Sequence, residues 1–151
     1  MFKDQVIVIT GAARGLGLGM AKRFARDGAQ VVITDIDQVA GERSAQQLRS
    51  EGAAAQFAPL DVRDPAQSNA LVEQLAREKG RLDVWVNNAG VAYKGPAETL
   101  PLNEWDQSIA VMLSGAFYCA QAAGRQMLAQ GRGVIVNVAS VGGYKYIEGR
   151  V

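Results

Sequence analysis

Histidine is absent from this sequence, which excludes Ser-His-Asp catalysis and His-ligated zinc within it. Cysteine occurs once, at Cys119, so disulfide frameworks and cysteine-cluster metal sites fall away as well, and no metal is expected. Cys119 lies in an apolar helical pattern and reads as a small core residue. A basic block is also missing: 16 Lys and Arg face 15 Asp and Glu, for a formal net charge of +1. That balance argues against nucleic acid or an anionic membrane as the main partner. The opening MFKDQVIVITG carries too short an apolar run for a signal peptide, and the later runs are strand-sized. The reading therefore places the protein in the cytoplasm. Internal repeats, linkers and low-complexity tracts are lacking too.

What remains is a chain of 151 residues that is 48% hydrophobic, enough for one domain with a sizeable core. Strand and helix patterns alternate along it. QVIVIT (Gln5–Thr10) predicts a first strand, and a helix follows from about Gly15 to Asp27, stopped at Gly28. QVVITD (Gln30–Asp35) predicts the second strand, with a polar helix over about Gln38–Ser50. The third strand lies within Ala53–Val62. Asp64-Pro65 then reads as an N-cap with proline in the first turn of a helix running to Lys79, closed by Gly80. LDVWVNNAG (Leu82–Gly90) holds the fourth strand and its exit. A long helix is expected over Leu102–Gln130, with Trp105, Ile109, Met112, Ala116, Phe117 and Ala120 as one apolar stripe, and VIVNVAS (Val134–Ser140) is the fifth strand. Near-continuous apolar strands, each followed by a helix, predict an α/β fold: a doubly wound parallel sheet covered on both faces.

The first strand runs into TGAARGLG (Thr10–Gly17) where the first helix begins. Gly11, Gly15 and Gly17 let the backbone turn tightly and approach a pyrophosphate, and the helix N-terminus offers free N–H groups and a positive dipole end. A P-loop is excluded, because no Gly-Lys-Ser/Thr follows the glycines. Asp35 ends the second strand 18 residues after Gly17, near the spacing expected of an acid that accepts hydrogen bonds from adenosine ribose hydroxyls. A carboxylate there repels a 2′-phosphate and favours NAD, whereas Arg14 pulls toward NADP. The carboxylate should decide, since like charges in a partly desolvated site cost more than a mobile arginine gains. The bland alternatives are a turn of small residues and a solvated strand end.

With these residues in place the sequence resembles the short-chain dehydrogenase/reductases over essentially its whole length. The glycine spacing TGxxxGxG, Asp61-Val62 after the third strand, Asn87-Asn88-Ala89-Gly90 after the fourth and Asn137-Val138-Ala139-Ser140 on the fifth carry the resemblance together. It implies a Rossmann-like, three-layer sheet of strand order 3-2-1-4-5, forming a single NAD-binding domain over residues 1–151. It further implies hydride transfer between a nicotinamide cofactor and a secondary alcohol or ketone of polyol, sugar, steroid or acyl type. The implied cofactor contacts are Gly11, Arg14, Gly15, Leu16, Gly17, Asp35, Asp61, Val62, Asn88, Ala89 and Gly90, with Asp61 meeting the adenine amino group. Ser140 is the implied catalytic residue, hydrogen-bonding the substrate oxygen; otherwise it is a structural serine at a strand end. A homotetramer or dimer is implied as well.

Two departures stand out. The family pairs a Tyr with a Lys four residues later, and none of the four tyrosines here has one: Tyr93, Tyr118, Tyr144 and Tyr146 are followed at that spacing by Ala97, Ala122, Glu148 and Arg150. Arg150 is a poor substitute, because a guanidinium does not give up its charge and binds through a planar fork. The family's Tyr lies about thirteen residues past the serine, beyond Val151. The reading therefore expects a C-terminal part outside this sequence, expects the 151 residues by themselves to be inactive, and expects the Leu102–Gln130 helix and the fifth strand to expose apolar surface without it. Secondly, VMLSGAF (Val111–Phe117) carries Met112 where the family has Asn. Met112 is then either one more core residue or part of the active site. The reading from another class is a noncatalytic dinucleotide-binding sensor or scaffold.

Overall fold

The computed structural model describes residues 1–144. β1 (Val6–Thr10), β2 (Gln30–Asp35), β3 (Ala55–Pro59), β4 (Val84–Asn87) and β5 (Val134–Asn137) form one sheet in the order β3-β2-β1-β4-β5. Every pairing is parallel. The expected strand order is therefore the observed one. Between the strands run α1 (Gly15–Arg26), α2 (Gln38–Ser50), α3 (Pro65–Lys79), α4 (Leu102–Ser108) and α5 (Ala116–Ala129).

The alternation of side chains along each strand builds two cores. Ile7, Ile9, Val31, Ile33, Val84 and Val86 face α1 and α2, meeting Ala21, Ala45 and Leu48. Val6, Val8, Val32 and Trp85 face the other way, against Leu71 and Leu75 of α3 and Cys119 and Ala123 of α5. All five β1 side chains are buried. That pattern is what a central parallel strand covered on both faces requires. Each fully buried Ile or Leu contributes about 1.5–3 kcal/mol of apolar transfer.

Local chemistry sets the helix bounds. Asp37 caps α2 by accepting a hydrogen bond from Ala40 N. Asp64 caps α3 in the same way through Ala66 N, with Pro65 in the first turn and Gly80 closing the helix in the left-handed conformation. Both helices have the bounds their sequence signals predict.

The long helix differs from expectation. α4 and α5 are continuous, but Ile109–Gly115 between them is π-helical. A π segment widens the turn and shifts the faces of everything after it. Stripe counting at steps of three and four across that segment therefore misleads. Trp105, Met112 and Phe117 of the expected stripe are exposed, and the buried face of α5 is instead Cys119, Ala122, Ala123 and Met127. The fifth strand is also shorter than predicted, ending at Asn137 with Val138–Ser140 as its exit. At this edge Val134 is 55% and Val136 41% exposed, and Phe117 and Leu113 on the adjoining helix are more than half exposed.

Candidate functional site

In this strand order the chain winds outward from β1 to β3, then returns to β4 on β1's other side. The crevice at the carboxyl ends of β1 and β4 is the switch point, where open α/β sheets take their ligands. Two loops meet there: Gly11–Arg14 after β1 and Asn88–Gly90 after β4.

They are tied by hydrogen bonds. The buried Thr10 hydroxyl accepts from Asn88 N and Ala89 N, both at 3.0 Å. The Asn88 side-chain amide donates to Thr10 O at 2.8 Å and Gly11 O at 3.1 Å. Glycine is needed at both contacts. A Cβ on Gly11, whose φ is +63°, would stand 2.8 Å from Ala89 Cα, and one on Gly17 would stand 2.5 Å from Gly11 O and 2.7 Å from Asn88 Nδ2. From the far side, Ser44 of α2 donates to Ala13 O at 2.8 Å. The turn is thus held from three directions by buried and part-buried bonds, each worth about 1 kcal/mol net and more if left half-made.

A cleft of about 530 Å³ opens over this turn, a size ordinary for a small-molecule site. Gly11, Arg14, Leu16, Gly17, Asp35, Asp61, Val62, Asn88, Ala89 and Gly90 all line it. Gly15 does not, but a Cβ added there would meet nothing within 4 Å. Arg14, the N-cap of α1, makes no side-chain cap bond, and no acidic residue sits in the first turn. The N–H groups at that helix start thus keep their capacity for an anion. The donor set fits a dinucleotide: an open glycine turn for the pyrophosphate, with carboxylates from β2 and from the exit of β3.

Both carboxylates are held in position. Asp35 accepts from Ala13 N and from Asp37 N, each at 3.1 Å. Asp61 accepts from Arg63 Nε at 2.9 Å and from Arg63 N at 3.0 Å. The Arg63 guanidinium hydrogen-bonded to it keeps the Asp61 carboxyl below the usual carboxylate range, against the opposing push of partial burial. Arg63 also donates to Gln107 of α4 at 3.1 Å, and Arg14 is paired with Asp37 at 2.9 Å. Sequence reasoning missed Arg63, Gln107 and Asp37. Asp37 was findable as the Asp immediately before α2, and Arg63 as the cation two residues after Asp61.

A second hollow, of about 510 Å³, adjoins the first on the β4–β5 side. Asn87 braces it, accepting from Trp85 Nε1 and donating to Ala116 O and to Asn137 Oδ1 at 2.8 Å. Met112 lines this hollow, with its Sδ 3.7 Å from where a Gly90 Cβ would stand. At 46% exposure it is not one more core residue. Gly115 approaches β3's exit so closely that a Cβ there would lie 2.8 Å from Val62 Cγ2. Ala139 lines the hollow, and Ser140 follows it, exposed. The Ser140 hydroxyl accepts from Gly142 N at 3.1 Å, which leaves its own hydrogen uncommitted among the described residues. Tyr144 is exposed. Tyr146 and Arg150 lie outside the described residues. Among the described residues no group of three or more Cys, Asp or Glu side chains forms a potential metal site.

Comparison with known proteins adds an independent line. The family model described as short chain dehydrogenase matches residues 5–151. The chain is 42% identical over 136 residues to D-threitol dehydrogenase of Mycolicibacterium smegmatis, covering 90% of this chain and 52% of that protein. A gluconate 5-dehydrogenase from Burkholderia cenocepacia, crystallised with NADP and tartrate, superposes with a TM-score of 0.92 at 34% identity, covering 99% of this chain and 58% of that one. A short chain dehydrogenase/reductase from Burkholderia phymatum, in complex with NAD, gives 0.94 at 32% identity, covering 99% and 53%. The chain spans about half the length of the curated relatives it matches.

Proposed function

The chain belongs to the short chain dehydrogenase family, and on that premise we propose that the protein is an NAD(H)-dependent oxidoreductase interconverting a secondary alcohol and a ketone. The observation that carries this reading is the cleft itself, where an open glycine turn at a helix start meets two carboxylates held in place by the backbone and by Arg63. Gly11, Gly15, Leu16 and Gly17 would hold the pyrophosphate. Asp35 would accept from the adenosine ribose hydroxyls, and Asp61 and Val62 would border the adenine. Asn88, Ala89 and Gly90 would back the rest of the nucleotide. The bound nicotinamide supplies the acceptor or donor of the hydride.

The chain's own part in the chemistry falls to Ser140. Its free hydroxyl hydrogen would bond the substrate oxygen and stabilise negative charge developing there. Polyols and sugar acids are the substrate class to try first, given the D-threitol and gluconate named for the relatives. NAD is preferred to NADP because Asp35 sets a negative charge against a 2′-phosphate. A cytoplasmic homo-oligomer, dimer or tetramer, completes the reading. Among the described residues no helix is long and apolar enough to cross a membrane.

The test is NAD-linked oxidation of a panel of secondary alcohols by the purified full-length protein, followed through nicotinamide absorbance. Turnover is expected with at least one polyol, and Ser140→Ala should lower kcat by about 100-fold or more. Saturable NAD binding with no turnover on any alcohol or ketone would favour a sensor instead. Asp35→Ala should weaken NAD and narrow its advantage over NADP; an unchanged ratio would remove Asp35 from its role.

A further inference from the structure

Both arginines that line the cleft are already engaged by acids. Arg63 is bound by Asp61, and Arg14 by Asp37. Of the three acids involved at this end of the cleft, Asp35 alone has no arginine partner; its oxygens are met by backbone N–H groups. The local balance is therefore one negative charge in excess, and it lies at the end of β2.

Asp37 is the least obvious member of this set. Its Oδ1 accepts from Ala40 N at 3.0 Å as the cap of α2, and its Oδ2 accepts from Arg14 Nη2 at 2.9 Å. The cap fixes the carboxylate on a rigid element, so Arg14 is offered a partner already in place. Its own backbone N–H orients Asp35. One residue thus aims the ribose acid through its main chain and occupies the neighbouring cation through its side chain.

Resting on the dinucleotide reading above, we propose that Asp37 is a specificity-determining residue, excluding a 2′-phosphate by neutralising Arg14. The ion pair is exposed, with Arg14 at 72% and Asp37 at 38% side-chain accessibility. Pairs of that kind contribute little to folding. Their weight on a phosphate is different. Removing the Asp37 carboxylate changes the local charge by one unit beside a group carrying nearly two, and frees a guanidinium suited to phosphate.

Asp37→Ser is the variant of choice. Serine retains an oxygen for the cap, and the residue's main-chain N–H is unaltered. NAD and NADP are titrated separately into the purified protein at low salt, and the quantity read is the ratio of the two dissociation constants. Asp37→Ser should shift that ratio toward NADP by about ten-fold, an effect that shrinks as salt is raised. In an Arg14→Met background the same substitution should leave the ratio where Arg14→Met alone puts it. Asp37→Asn, which also keeps a cap acceptor, should shift the ratio in the same direction and guards against a fault peculiar to serine. A ratio that stays within two-fold in both variants overturns the proposal, as does an equal shift in the absence of Arg14. If the unaltered protein binds neither nucleotide, the dinucleotide reading itself fails and this inference falls with it.

Discussion

Among the described residues the two sides of the sheet's centre differ in burial. On the β1–β2 side every strand residue from Val6 to Thr10 is buried, and the turn that follows is fastened by Asn88, Thr10 and Ser44. On the β5 side, Val134 and Val136 are largely exposed, and the serine expected to meet substrate stands on an exposed exit. The side proposed for the nucleotide is defined by main-chain approach and by buried and part-buried hydrogen bonds. The β4–β5 side has a braced floor, through Asn87 and Asn137, beneath more exposed apolar side chains. On the proposed reading, nucleotide recognition rests on backbone geometry, whereas the hollow beside β5 is lined by side chains such as Met112, Leu113 and Phe117.

Core truncation should break this contrast open most widely. Ile33→Ala, on a fully buried β2 residue, is expected to cost about 2–5 kcal/mol in urea denaturation. Val136→Ala on β5 should cost under about 1 kcal/mol, in line with surface substitutions. Equal costs would mean that the two sides are packed alike.

A smaller effect is expected at the loop tie. Asn88→Ala removes the donors to Thr10 O and Gly11 O and should cost about 1–3 kcal/mol, with a matching loss of nucleotide affinity. If stability falls and affinity does not, the tie serves the fold alone.

The smallest is a pH effect where the two sides join. Asp83, almost buried, accepts from Val6 N at 2.8 Å and from Arg81 Nε at 2.6 Å. Burial pushes its carboxyl up, but the Arg81 and Val6 hydrogen bonds and the nearby Arg81 and Arg132 charges together bring it below the ordinary carboxylate range. A depressed folded pKa gives stability that is complete above the unfolded carboxylate value of about 4 and is lost as pH falls through the folded one. Asp83→Asn should therefore cost about 1 kcal/mol near neutral pH and progressively less toward about pH 3. A difference that grows on acidification would reverse the sign of the shift.

Much of this was readable from sequence because it rests on local rules. Asp64-Pro65 and Gly80 bound α3, and β-branched runs ending at glycine turns give the parallel strands. The cleft residues were readable because glycines that admit close approach, and acids at strand ends, have few other reasons to recur at those spacings. The buried face of α5 was hidden by the π segment, whose widened turn no periodicity count anticipates. The pairings of Asp37 with Arg14 and of Arg63 with Gln107 were hidden because these partners are distant in sequence, and only the folded chain brings them together.

Calorimetric titration of ADP-ribose into the purified protein and into Gly17→Val tests the central claim most directly. A side chain at that position meets Gly11 O and Asn88 Nδ2 closer than contact allows, so saturable binding to the unaltered protein should fall by about 100-fold or more in the variant. Absence of binding to the unaltered protein, or equal binding to both, would contradict the assignment of this turn as the nucleotide's seat.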